Sequence, residues 1–172
     1  MDKFINSLKS HYQMALKSAS GLPFYDDVNH YLLCIIKTPE LYTIITDEYT
    51  KLKSELIEIQ KDLFKIGAML TPNTEHRTTN NLKKRIENFE KMIDKLSEKL
   101  PAVKNFILPG GGKFGAALHL ARAICRRVER RIVALSEKEK VDSEILIYFN
   151  RLSDLLFIMA RFANFQEKKK EI

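Results

Sequence analysis

The sequence predicts an all-α protein, an antiparallel bundle of four or five helices, and three observations carry that expectation. Four segments carry apolar residues stepping by alternating threes and fours, the spacing that puts side chains on one helix face. Strict alternation, the mark of a half-buried strand, is hard to find. Glycine and proline number only 6 and 5, too few for the many tight turns of an all-β chain.

The first seam is Leu52, Leu56, Ile59, Leu63, Ile66 and Leu70. Thr38 before Pro39 reads as an N-cap with proline at the first helical position, so this helix is expected from Pro39 to about Leu70. Thr71–Asn81, small and polar with a proline, reads as a loop. The second seam is Leu82, Ile86, Phe89, Ile93, Leu96 and Leu100, closed by Pro101. Pro109-Gly110-Gly111-Gly112 forbids regular structure before the third seam, Leu118, Ala121, Cys125, Val128, Ile132 and Leu135. A charged turn at Glu137–Lys140 leads to the fourth, Ile145, Phe149, Leu152, Leu156, Met159 and Ala163, with Asp142 or Ser143 as its cap. Upstream, Asp26–Lys37 reads as a further helix, and residues 2–19 show weaker helical spacing that ends at Ser20-Gly21-Leu22-Pro23. Four such seams pack as a bundle.

The 172 residues fit one domain, large enough to bury a core without disulfides or metals. Cys34 and Cys125 cannot build a disulfide framework and fit a reduced, cytoplasmic protein. No apolar run approaches the length that crosses a bilayer, and no signal peptide is expected. Lys and Arg total 29 against 22 Asp and Glu, a net charge of +7 that suits an anionic partner. The Lys168-Lys169-Lys170 tail reads as solvated.

The third helix concentrates that charge. Arg122, Arg126 and Arg130 recur every fourth residue and share a face, with Glu129 beside them and Arg127 and Arg131 nearby. Taken alone, such a face is most simply solvated. A ladder of guanidiniums is also what grips phosphate, because each presents planar, paired donors. Phe106-Ile107-Leu108-Pro109-Gly110-Gly111-Gly112 favours the second reading, since it sets an apolar strip and free backbone N–H groups at a positive helix end. On the fourth helix Asn150 and Asp154 lie one turn apart, placed to bond a ligand's polar rim or to orient the arginines. Asp26 and Asp27 begin the upstream helix, where acids suit the dipole.

Other chemistries fail. There is no Walker-type phosphate loop, no Gly-x-Ser-x-Gly elbow and no CxxC, and His11, His30, His76 and His119 lack metal-ligand spacing, so no protein-held metal is expected. His119 inside a helix reads as a packed histidine. Tyr25, Tyr31, Tyr42, Tyr49 and Phe89 fall at helical spacing and read as core rather than a base-stacking platform.

Several motifs, in order, resemble one family. They are Ile59-Gln-Lys-Asp-Leu-Phe-Lys-Ile-Gly-Ala68, Phe106-Ile-Leu-Pro-Gly-Gly111, Ala117-Leu-His-Leu-Ala-Arg122, Cys125-Arg-Arg-Val-Glu-Arg130, Tyr148-Phe-Asn-Arg-Leu-Ser-Asp-Leu-Leu-Phe157 and Ala160-Arg161. Together, over about residues 52–165, they resemble the ATP:cob(I)alamin adenosyltransferases of the propanediol-utilisation type. The resemblance implies a cobalamin adenosyltransferase-like five-helix bundle, a homotrimer with active sites between subunits. It implies transfer of the 5′-deoxyadenosyl group of ATP to cob(I)alamin, with Mg²⁺ and release of triphosphate. A corrinoid reductase or an adenosylcobalamin-dependent enzyme would be a further partner. It makes Arg126, Glu129 and Arg130 the ATP side of the site, with Asn150 and Asp154 in support. Phe106 matches the aromatic that helps exclude the lower axial ligand of the cobalamin, which leaves Co(II) four-coordinate and easier to reduce. Arg122 matches an arginine that pairs across the subunit interface with an aspartate, here Asp26 in Tyr25-Asp26-Asp27-Val28-Asn29.

One departure accompanies the match. Family members open with a Thr-Arg-Thr-Gly-Asp-x-Gly-like segment that wraps the triphosphate, and residues 1–24 hold at best Ser18-Ala19-Ser20-Gly21 in its place. The expected organisation is thus an atypical segment 1–24, a bundle over 25–167 and a basic tail 168–172. ATP is then bound differently, bound weakly, or no longer used for transfer. In the last case the chain only binds or delivers cobalamin. A rival from another class, a basic bundle that binds nucleic acid through the Arg122–Arg131 face, leaves Phe106 and the Asn150–Asp154 pair without a purpose.

Overall fold

The computed structural model describes residues 50–70 and 80–169. Four helices account for most of them: α1 (Thr50–Met69), α2 (Asn80–Ser97), α3 (Lys113–Ser136) and α4 (Ser143–Gln166). No strand occurs among the described residues. The expected start of the first helix at Pro39 and the two upstream helices lie outside the described residues. The loop expected through Asn81 ends earlier, because Asn80 is already helical.

The seams become the core. Every residue of the first, third and fourth seams is buried, and they form one continuous cluster. In α2, Leu82, Phe89 and Leu96 are buried while Ile86 and Ile93 lie half-buried at the margin. Asp142 caps α4, its carboxylate accepting from the Glu144 amide at 2.9 Å. The short turn after α3 returns the chain antiparallel: Glu129 meets Asn150, Cys125 meets Phe149, and Gly112 meets Asn164. α2 runs alongside α4 in the same direction, with Glu90 at Arg151 and Lys99 at Phe162. α4 is therefore the shared partner of α2 and α3.

A buried polar cluster ties α1 to this frame. Asp62 of α1, 5% exposed, accepts from Arg85 Nε of α2 at 2.5 Å and from the Tyr148 hydroxyl of α4 at 3.2 Å. Arg85 also donates to Glu55 at 2.5 Å and lies 5.0 Å over the Phe89 ring. Burial works against the Arg85 charge, but the two carboxylates outweigh it and hold the guanidinium more firmly protonated than usual. Burial pushes the Tyr148 hydroxyl well above the ordinary phenol value, and the neighbouring Asp62 charge adds to the effect.

Candidate functional site

The arginines of α3 face different surroundings. Cys125, Val128 and Ile132 point into the core, so the intervening residues turn outward or toward the α3–α4 seam. Arg126 is exposed and bonds Glu129 one turn along at 2.6 Å. Glu129 is mostly covered, and its second oxygen accepts from Asn150 Nδ2 of α4 at 3.0 Å. Asn150 thus orients the carboxylate, and the carboxylate orients Arg126. Arg130 follows on the exposed side. The three residues form a preset polar cluster with a guanidinium open to an anion.

Arg122 stands apart from that cluster. Its guanidinium lies 4.9 Å over the Phe157 ring of α4, and its Nε is buried with no hydrogen-bond acceptor. His119, one turn earlier, is buried with its ring 6.1 Å from Phe157, which agrees with a packed histidine. Asp154 does not join Arg126. It accepts from Arg151 at 3.3 Å, and Arg151 also bonds Glu90 of α2 at 3.0 Å. Asp154, Arg151 and Phe157 line a groove of ≈ 470 Å³ between α2 and α4. Asp26, the expected partner of Arg122, lies outside the described residues.

The segment between α2 and α3 carries Phe106, which is fully exposed, with Leu108 and Val103 also in solvent. Here one expectation needs correction. The N–H groups of the glycine triplet were expected to face a ligand, but Gly112 is buried and its N–H donates to Asn164 Oδ1 of α4 at 3.0 Å. Asn164 Nδ2 in turn donates to the Gly110 carbonyl at 2.9 Å. Gly111 sits at φ 102°, where side chains are strained, and a Cβ there would lie 2.2 Å from the Asn164 oxygen. Gly111 is small because the backbone there is drawn onto Asn164, while a Cβ at Gly112 would instead meet the Glu167 carboxylate. Sequence reasoning missed Asn164 and Arg161 as functional candidates, since each acts on backbone more than fifty residues away.

Cys125 is buried, and burial, with the Glu129 charge nearby, pushes its thiol far above the ordinary value. It is a packing residue and not a nucleophile. Among the described residues no three His, Cys, Asp or Glu side chains converge to hold a metal, and no helix is long and apolar enough to cross a membrane.

Comparison with known proteins places this arrangement. The sequence matches the cobalamin adenosyltransferase family over residues 24–163. A corrinoid adenosyltransferase of Bacillus subtilis is 36% identical over 160 residues, covering 93% of this chain and 70% of that protein. The mouse (Mus musculus) corrinoid adenosyltransferase is 40% identical over 135 residues, covering 74% of this chain, and the match spans 56% of the mouse protein's length. A PduO-type ATP:corrinoid adenosyltransferase from Lactobacillus reuteri, a variant solved with cobalamin and ATP, superposes with a TM-score of 0.75 at 36% identity, covering 87% of this chain and 82% of that one. A four-helix frame with an outward loop bearing Phe106, an Arg126–Glu129–Asn150 cluster and these relatives lead to one conclusion: the chain belongs to the cobalamin adenosyltransferase family.

Proposed function

We propose that this protein transfers the 5′-deoxyadenosyl group of ATP to cob(I)alamin, forming adenosylcobalamin and releasing triphosphate. The observation that carries the reading is Glu129 held between Arg126 and Asn150, which presents a guanidinium already oriented toward an anion. The cobalt of the reduced substrate is itself a strong nucleophile, so no general base is needed. The protein's task is to align C5′ with the cobalt and to stabilise the charge gathering on the departing triphosphate.

Arg126 and Arg130 bind that triphosphate, and their planar donors reach oxygens that become more negative as the C5′–O bond breaks. Glu129 and Asn150 keep Arg126 in place, so little reorganisation is required during the reaction. Asp154, held by Arg151 one turn along α4 from Asn150, offers a further acceptor for the polar rim of the ligand. Mg²⁺ bound with the nucleotide would add to the charge stabilisation that Arg126 and Arg130 give the triphosphate. Phe106 lies against the corrin and keeps the lower axial ligand away.

The site is completed by neighbouring subunits of a homotrimer, with Asp26 pairing with Arg122 across the interface. Exposure of Phe106 and Leu108 two residues apart on one segment supports that reading, because clustered apolar side chains suit a surface that a ligand or subunit covers. So does distance: Arg126 lies about 21 Å of helix rise beyond Gly112, where the Phe106 segment joins α3. A reductase supplies Co(I), and the proposed location is the cytoplasm.

The test is a turnover assay in the dark with ATP, Mg²⁺ and chemically reduced cobalamin, following the light-sensitive cobalt–carbon bond. Arg126→Ala should cost ~2.7–4 kcal/mol of transition-state stabilisation, about a hundredfold to a thousandfold in rate. Turnover close to wild type would remove Arg126 from the mechanism. Residues 1–24, which lack the family's triphosphate-wrapping segment, motivate a second reading, a relative that binds or delivers the corrinoid. No product from wild-type protein that still binds cobalamin would establish it.

A further inference from the structure

We propose that Asn164 and Arg161 are positioning residues for Phe106, acting through the backbone of residues 101–112; the inference rests on the adenosyltransferase reading above. That segment has almost no packing of its own. Val103, Phe106 and Leu108 are exposed, and Ile107 is the one apolar residue within it that is partly covered. A stretch of this length without buried side chains has nothing inside it to fix its path. Its ends are fixed instead, and both anchors come from α4.

At the first end, Arg161 donates from its terminal nitrogen to the Pro101 carbonyl at 2.8 Å. At the second, Asn164 grips the chain from both sides, donating to the Gly110 carbonyl at 2.9 Å and accepting from the Gly112 N–H at 3.0 Å. The two anchors are 4% and 2% exposed and stand three residues apart, on one face of the helix. The Asn164–Gly112 bond is fully buried, where water cannot replace it, and the other two are partly covered. Asn164 also limits what can pass it. A Cβ at Gly111 or Gly115 would fall 2.2 or 2.0 Å from its amide oxygen, so the loop can approach only as bare backbone.

The chemistry asks for an amide at residue 164. Its oxygen and nitrogen serve an N–H and a carbonyl at once. Aspartate keeps the acceptor but loses the donor, and alanine loses both. Phe106 lies midway between the anchors, four residues before Gly110 and five after Pro101, so releasing either end lets the ring wander relative to the corrin. Misplacement of about 1 Å is enough to cost up to a hundredfold in rate.

A double-mutant cycle between Asn164 and Phe106 tests this, because the proposal has them acting in series. Asn164→Ala in the wild-type background should lower kcat about tenfold or more with KM for ATP unchanged. It should also reduce the fraction of enzyme-bound cob(II)alamin that loses its lower axial ligand, read by absorbance in the presence of ATP. In a Phe106→Ala background the same substitution should cost less than about twofold, since the ring it positions is already gone. Should Asn164→Ala fail to fold, Asn164→Asp runs the same cycle with the Gly112 bond kept. Equal losses in both backgrounds, or an unchanged axial-ligand fraction, would make Asn164 a purely structural residue and overturn the proposal. Absence of product from wild-type protein would overturn the adenosyltransferase reading itself, and the positioning role with it.

Discussion

Replacing Asp62 with alanine should cost about 4–6 kcal/mol of folding stability, most of the margin of a marginal domain. The figure follows from what Asp62 holds. One oxygen receives both the Arg85 Nε and the Tyr148 hydroxyl, so three helices meet on a single carboxylate. Without it, Arg85 keeps Glu55 but loses half its countercharge at a site where its side chain is 15% exposed. Breaking a buried pair on one side costs about 3–5 kcal/mol, and the remaining Glu55 places the loss at the lower end. The Tyr148 hydroxyl, fully buried, is then left without an acceptor, for about 1–3 kcal/mol more. Urea unfolding followed by helical circular dichroism reads the change as a lower midpoint at unchanged slope. Tyr148→Phe removes only the hydroxyl and should cost about 1 kcal/mol, whereas Asp62→Asn keeps an acceptor but loses the charge facing Arg85 and should fall between that and the alanine variant. Stability of Asp62→Ala within about 1 kcal/mol of wild type would refute the claim that this cluster fastens α1 to α2 and α4.

Asn150→Ala should free Glu129 and with it Arg126, raising KM for ATP about fivefold with little change in thermal stability, since the bond is solvent-exposed. Isothermal titration with ATP and Mg²⁺ reads this directly. Cys125 should resist alkylation in the folded protein at pH 8 and react in denaturant, as peptide mapping would show. Because its folded pKa is raised, its contribution to stability is complete below about pH 8.5 and declines above it, by about 1.4 kcal/mol per pH unit once the unfolded thiol ionises. Denaturation at pH 8 and pH 10 should therefore show a steeper fall for wild type than for Cys125→Ala.

Residues that act through helical periodicity were legible in the sequence. Leu63, Ile66, Leu118, Val128, Leu152 and Met159 were placed inside by spacing alone, and all are buried. Asp142 was legible as a cap because capping chemistry is local. Proximity of Asn150 to the arginine helix was also expected, though its partner is Glu129 rather than a guanidinium. Long-range polar pairing left no such trace. Asp62 and Tyr148 are 86 residues apart, and nothing near either one marks the other as its partner. Arg85 follows two lysines with nothing local to mark it as buried, and the glycine triplet reads as an anion cradle because the partner of Gly112, Asn164, lies 52 residues on, near the end of α4.

α4 is the last of the described helices, yet it supplies Tyr148 to the α1 cluster, Asn150 to Glu129, and Arg161 and Asn164 to the loop. On a ribosome, chains emerge from the N-terminus at about 5–20 residues per second. Helices α1 to α3 must therefore wait with their apolar faces uncovered until residue 164 has cleared the exit tunnel. The Phe106 segment acquires its two anchors at the very end of that wait. A protein stalled or truncated before residue 161 would have nearly all its seams but neither anchor, and its exposed faces would be the first surface a chaperone meets.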